Sequence, residues 1–166
     1  MSRLNHVDLP YYSVMPGFML DYHHEDDAGL DLPIWDEKLT NGELSETGEF
    51  ILGVGESVML KTGIHLAIPK GHYGLLDSRS STSKLRLDLL CRTIDSSYRG
   101  DIRVAFTNHN TVPVTIKNGE ELFQIIIKQY STAEPIPLNS LEAFLGFAGN
   151  TERGEEGFGS KERKNA

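Results

Sequence analysis

Glycine and proline break this chain at short intervals, and the apolar runs between the breaks are brief and rich in β-branched residues. The clearest are Ser57-Val58-Met59-Leu60-Lys61-Thr62, Ile64-His65-Leu66-Ala67-Ile68 and Ile102-Arg103-Val104-Ala105-Phe106, followed by Val112-Pro113-Val114-Thr115-Ile116 and Leu122-Phe123-Gln124-Ile125-Ile126-Ile127. In the second run Ile64, Leu66 and Ile68 share one face and His65 and Ala67 the other, which is the period of a strand. Pro69-Lys70-Gly71 and Lys117-Asn118-Gly119-Glu120 stand where tight connections belong. No long segment keeps a helical period. The best helical candidates are Ser80 to Leu87, and Leu138 to Leu145 with Leu138, Leu141 and Leu145 on one face. Many short strands with one or two short helices predict an all-β barrel or sandwich.

The length of 166 residues suits one domain, and a hydrophobic share of 39% suffices for a core. With 16 Lys+Arg against 24 Asp+Glu the net charge is −8, which argues against a general nucleic-acid or membrane-surface binder. The single cysteine, Cys91, cannot form an internal disulfide. Its setting in Leu89-Leu90-Cys91 predicts a buried, inert thiol. No stretch approaches a membrane span, and the N-terminus lacks a charged start followed by an apolar run, so a soluble cytoplasmic protein is expected. Residues 1–25 read as an extension packed on the core, 26–150 as the barrel and 151–166 as a flexible C-terminal segment. The turn-rich span from Asp36 to Gly48 is expected to be a surface loop.

Several clusters carry more than one meaning. His23-His24-Glu25-Asp26-Asp27 offers five potential metal ligands in a row, but neighbours in an extended chain face opposite ways, so a solvated polar loop is expected. The glycines from Gly154 to Ser160 cannot serve a Rossmann or P-loop, because only six residues follow and no helix can face a phosphate. They form either a frayed tail or a lid, with Arg153 and Ser160 as donors and Phe158 as a stacking ring. Between Arg79 and Arg103 six basic residues stand against three acids. That local positive charge suits a small polyanion such as a nucleoside triphosphate, or is a solvated face. Ser78-Arg79-Ser80-Ser81 has the makings of a phosphate clamp. Thr93-Ile94-Asp95-Ser96-Ser97-Tyr98-Arg99-Gly100 is either a base beside a sugar-binding ring or an ordinary turn.

The order of the pieces resembles the trimeric, all-β deoxyuridine triphosphatases (dUTPases), a family with five short motifs. The first is similar to Ala28-Gly29-Leu30-Asp31-Leu32, the second to Gly74-Leu75-Leu76-Asp77-Ser78-Arg79-Ser80-Ser81, and the third to Thr93 through Ile102. The fourth resembles Asn118-Gly119-Glu120-Glu121-Leu122-Phe123-Gln124, and the fifth Arg153-Gly154-Glu155-Glu156-Gly157-Phe158-Gly159-Ser160. The resemblance implies a distorted β-barrel or jelly-roll in a homotrimer that hydrolyses dUTP to dUMP and pyrophosphate with Mg²⁺. It implies that Asp95 is the general base activating water. It places Tyr98 under the deoxyribose and Arg79, Ser80 and Gln124 on the phosphates, with Ile94 and Ser81 also in contact with the substrate. By the same resemblance Asp31 holds waters of the Mg²⁺, and Arg153, Phe158, Gly159 and Ser160 belong to the closing lid.

The chain departs from the family pattern where Ser78 replaces a usual proline, Ser81 a common glycine and Arg92 another glycine. The Arg79–Asp95 segment is also short, and in the family it reads the uracil edge. Two rivals follow. The related dCTP deaminases place a catalytic glutamate at the position of Ala105, which cannot shuttle a proton, leaving a dCTP-acting or relaxed-specificity pyrophosphatase. The other rival is a regulatory nucleotide-binding protein that engages an unknown partner through residues 1–25 or 36–48.

Overall fold

The computed structural model describes residues 6–40, 48–149, 151, 152 and 154. Its strands are β1 (Tyr11–Ser13), β2 (Leu30–Pro33), β3 (Glu49–Leu52), β4 (Ser57–Leu66), β5 (His72–Ser78), β6 (Leu87–Leu89), β7 (Thr93–Ile94), β8 (Asp101–Asn108), β9 (Val114–Lys117) and β10 (Glu121–Gln129). Short 3-10 turns cover Glu37–Thr40 and Ser80–Leu85, and the one α-helix among the described residues is α1 (Leu141–Ala148). The strands form two four-stranded antiparallel sheets, β1-β4-β8-β6 and β2-β10-β5-β7, and a β3-β9 ribbon. The expected all-β architecture is what these residues build.

The core lies between the two larger sheets. Leu60, Ile64 and Leu66 of β4 and Ile102, Val104 and Phe106 of β8 meet Leu32, Leu76, Phe123 and Ile125 of the other sheet. The Phe106 and Phe123 rings lie 5.0 Å apart, a tilted contact across the core.

The two runs read separately around residues 57–68 are one strand with a bulge. Lys61 pairs with Arg103 and His65 with Asp101, so three residues of β4 oppose one of β8. Gly63 takes a left-handed φ of 70°, and a side chain there would meet Trp35 at 3.1 Å. The Asp101 carboxylate accepts from the backbone N–H groups of Thr62 (3.2 Å) and Gly63 (3.0 Å). Burial pushes the Asp101 carboxyl above the ordinary aspartate range, while those two donors oppose the shift.

Four local expectations need correction. Asp36 and Leu39 are buried: the Asp36 carboxylate accepts from Lys38 N (2.9 Å) and Lys61 N (2.8 Å), so this part of the expected surface loop is pinned to β4. Cys91 is exposed, because β6 ends at Leu89 and the chain between β6 and β7 faces no core. The Ser80 helix is a 3-10 turn that stops at Arg86, whose left-handed φ of 50° reverses the chain. Finally, α1 begins at Leu141 rather than Leu138, because Ser140 is extended and its hydroxyl caps Ala143 N.

The N-terminal residues are woven into the fold. β1 pairs with β4 from Tyr11↔Leu66 to Ser13↔Ile64, and Leu9, Phe18, Leu20 and Tyr22 pack against the core. The chain forms two compact units, Met1–Ser131 and Thr132–Ala166. In the second, Leu141, Phe144, Leu145 and Phe147 of α1 are all exposed. No helix among the described residues is long and apolar enough to cross a membrane.

Candidate functional site

Register is what assembles the first cluster. β10 lies between β2 and β5, with Gln124 opposite both Asp31 and Asp77. Segments 47 and 93 residues apart from Gln124 in sequence thus arrive side by side. Gln124 donates through its side-chain amide to Ser78 O at 3.0 Å. Gly29 leaves room for it, since a Cβ there would stand 2.1 Å from Gln124 Oε1.

Arg79 follows the last residue of β5 and turns its guanidinium into this cluster, with its side chain only 19% exposed. Nη1 donates to Glu121 O at 2.6 Å and lies 3.4 Å from Glu121 Oε2, while Nη2 pairs with Asp31 Oδ2 at 2.6 Å. Thr82 ties the following 3-10 turn to β10 by donating to Leu122 O at 2.8 Å. That leaves Ser80 and Ser81 exposed at the start of the turn.

Burial raises the Asp31 carboxyl above its ordinary value, with Arg79 pulling the other way and Glu121 adding to the rise. A bound cation would relieve this. Asp31 and Glu121 offer the oxygen ligands that a hard divalent ion prefers. With His23 Nε2, their ligand atoms lie within 4.8 Å of one another, but the Arg79 guanidinium already contacts all three residues.

His23 was expected in a solvated loop. It is exposed and also reaches the cluster, with Nε2 2.9 Å from Asp31 Oδ2. Sequence reasoning missed both His23 and the side chain of Glu121. Each lies in a polar run whose local pattern gives no hint of partners so far along the chain.

The second cluster is the loop from Thr93 to Asp101. β7 pairs with β5, Leu75↔Thr93 and Gly74↔Ile94, and Ile94 packs against the core. A turn closes Asp95 O on Tyr98 N at 3.1 Å. The Tyr98 hydroxyl donates to Asp101 O at 2.9 Å, which fixes the ring over Gly100, where a Cβ would meet Tyr98 Oη at 2.3 Å. Arg99 donates to Ser96 O and Tyr98 O, and its own carbonyl lies 3.1 Å from His65 Nδ1. Asp95 and Tyr98 are both exposed, so a carboxylate and a ring are offered to solvent by a loop whose backbone is tied down.

The two clusters do not meet within one chain. Ile94 lies opposite Gly74 and Arg79 follows five residues further along, a separation of about 17 Å at strand spacing. The expected cationic face is also dispersed: Arg79 is paired inward, Arg92 pairs with Asp77 at 3.0 Å, and Arg99 bonds its own loop. Arg153, Phe158, Gly159 and Ser160 lie outside the described residues. A cleft of about 870 Å³ beside the N-terminal residues, lined in part by Tyr11, Leu20, Tyr22 and Leu30, takes in none of the substrate residues named from the sequence.

A family profile described as dUTPase matches residues 17–161. The deoxyuridine 5'-triphosphate nucleotidohydrolase of Escherichia phage T5 is 34% identical over 153 residues, covering 90% of this chain and 95% of that protein. A variant of the Staphylococcus bacteriophage 80alpha dUTPase, solved with dUpNHpp, superimposes with a TM-score of 0.73 at 24% identity, over 92% of this chain and 97% of that one. A variant of the dUTPase from phage phi11 of S. aureus, solved with a coordinated structural Mg(II) ion, gives a TM-score of 0.66 at 22% identity, over 82% and 99% of the two chains.

Proposed function

This chain belongs to the dUTPase family, and on that premise we propose that it hydrolyses dUTP to dUMP and pyrophosphate. The observation that carries the reading furthest is the β2-β10-β5 register, which gathers Asp31, Arg79 and Gln124 at one place. A guanidinium and an amide beside a carboxylate are what a metal-bound triphosphate requires.

In this reading Arg79, Ser80, Ser81 and Gln124 hold the phosphates. Arg79 brings its positive charge to the phosphate oxygens, and the serine hydroxyls and the Gln124 amide fix the chain of phosphates in line. Asp95 accepts the proton of the water that attacks the α-phosphorus, so the α–β bridging bond breaks and pyrophosphate leaves. Tyr98 lies flat against the deoxyribose, and Ile94 also contacts the nucleotide. The ring cannot give way to a 2′-hydroxyl while its own hydroxyl is tied to Asp101 O. Arg153, Phe158, Gly159 and Ser160 close over the nucleotide. Mg²⁺, when bound, supplies neutralisation of the triphosphate charge, and Asp31 is the residue that would hold it through water.

We place the complete site between copies of the chain, in a homotrimer. Asp95 and Arg79 are separated along β5 within one copy, and the exposed apolar residues of α1 suit a seat on another. A cytoplasmic location fits this activity.

The test is chromatography of products after incubating the protein and Mg²⁺ with equal dUTP, dCTP, dTTP and UTP, beside the Asp95→Asn variant. Only dUTP is expected to fall, and Asp95→Asn should lose at least about 100-fold in turnover while still binding nucleotide. Loss of dCTP at the same rate would make this a relaxed-specificity pyrophosphatase. Binding without turnover by the unaltered protein would make it a regulatory nucleotide-binding protein.

A further inference from the structure

The N-terminal residues make a contact with the phosphate cluster that the reading above does not use. His23 Nε2 lies 2.9 Å from Asp31 Oδ2, 3.4 Å from Glu121 Oε2 and 3.3 Å from Arg79 Nη2. One ring nitrogen therefore touches every side chain that holds Arg79 or is held with it. Its partners are 8, 98 and 56 residues away in sequence, so no local motif explains the convergence.

The approach of His23 is fixed from both sides. Tyr22, just before it, packs against the core. Just after it, residues 24–27 form a closed turn, with His24 N donating to Asp27 Oδ2 at 2.8 Å and Asp27 N donating to His24 O at 3.1 Å. The imidazole thus lies over the mouth of the cluster, 58% exposed, while the guanidinium beneath it is four-fifths covered. Arg79 has the Glu121 carbonyl on Nη1 and the Asp31 carboxylate on Nη2, and His23 stands against that same Nη2.

We propose that His23 is a positioning residue for Arg79: it closes the outer side of the guanidinium's seat and so fixes where the guanidinium charge stands relative to a phosphate. A neutral imidazole can do this in either tautomer, accepting from Arg79 Nη2 through Nε2 or donating from Nε2 to a carboxylate oxygen. The proposal rests on the dUTP reading, since it concerns how that substrate's phosphates are met. A solvated surface histidine would have the same neighbours but no effect on nucleotide binding, and this difference makes the proposal testable.

The experiment compares the unaltered protein with His23→Ala and His23→Gln. It measures calorimetric binding of a non-hydrolysable dUTP analogue with Mg²⁺ and with EDTA, steady-state kinetics on dUTP, and thermal unfolding. A partly exposed contact of this kind is worth about a factor of 5 in affinity. His23→Ala should weaken analogue binding about 5-fold, raise KM similarly and lower kcat by less than about 2-fold, because a ground-state phosphate contact is being misaligned. The weakening should persist in EDTA, since it acts through Arg79. His23→Gln, whose amide offers both a donor and an acceptor, should recover most of the loss.

The proposal is overturned if His23→Ala binds the analogue as the unaltered protein does. It is equally overturned if His23→Gln fails as fully as His23→Ala, if the loss falls on kcat alone, or if the melting temperature drops in step with affinity. If the unaltered protein neither binds the analogue nor turns over dUTP, the dUTP reading itself fails and takes this inference with it. Unchanged His23→Ala in an active protein removes only the inference.

Discussion

Asp101 offers a sharp test of how the third-motif loop is anchored. Its carboxylate is the acceptor for the N–H groups of Thr62 and Gly63 in the β4 bulge, and both of those residues are buried. Replacing Asp101 with alanine strands two buried donors at about 1–3 kcal/mol each, so about 2–6 kcal/mol of stability should be lost. Against a typical total of about 5–15 kcal/mol, that is enough to shift the unfolding midpoint far outside error. Asparagine keeps an acceptor oxygen at the same place and should cost about 1 kcal/mol or less at neutral pH.

The two variants also differ in pH dependence. Burial raises the native Asp101 carboxyl above its unfolded value of 3.8, so across the window between those values the folded protein binds more protons than the unfolded chain. Stability from this group is therefore greatest below the window and falls as pH rises through it. Asp101→Asn has no such proton, so its stability relative to the unaltered protein should improve as pH rises through the window and level off above it. Urea unfolding at one protein concentration, repeated across that pH range, measures both effects. Alanine within about 0.5 kcal/mol of the unaltered protein, or asparagine as damaging as alanine, would refute the reasoning.

Other substitutions probe separate parts of the argument. Asn108 is buried and donates its amide to the carbonyls of Leu52, Gly53 and Val112, so Asn108→Ala should cost about 2–3 kcal/mol in denaturant unfolding. Gly29→Ala puts a methyl into the space of Gln124 Oε1; it should cost about 1–3 kcal/mol in stability and weaken binding of a dUTP analogue in calorimetry. Gly100→Ala pushes against the Tyr98 hydroxyl, and the ratio of kcat/KM for dUTP over UTP should narrow as the ring loses its fixed pose.

The strand pattern was readable because the β4 bulge inserts two residues rather than one. An even insertion preserves the alternation, so Leu60, Thr62, Ile64, Leu66 and Ile68 all remain inward-facing, as the sequence pattern requires. The turn at Lys117–Glu120 was equally plain, since Gly119 supplies a φ of 81° that other residues resist. Asp36 was not readable: an acid in a polar run looks solvated, and its burial follows from Lys61, 25 residues on, and from Asn118, 82 residues on, whose Oδ1 accepts from Asp36 N. His23 escaped for the same reason. Cys91 misled because two preceding leucines suggest a continuing strand, whereas the chain leaves the sheet after Leu89. The motifs supply residue types and their order, while which of those residues stand together follows only from strand register.

That register has a genetic consequence. Along β5, Arg79 and the β7 residues that lead into Asp95 stand apart at different points of one strand. Where a working site draws its halves from different copies, a chain damaged at Arg79 still lends a sound Asp95 to its neighbour, and the reverse holds for a chain damaged at Asp95. Two alleles, each silent alone, would then restore part of the activity when expressed together, and two lesions in the same half would not. Complementation of that kind maps the molecule into two groups of mutations whose boundary falls along β5, without any structure being consulted.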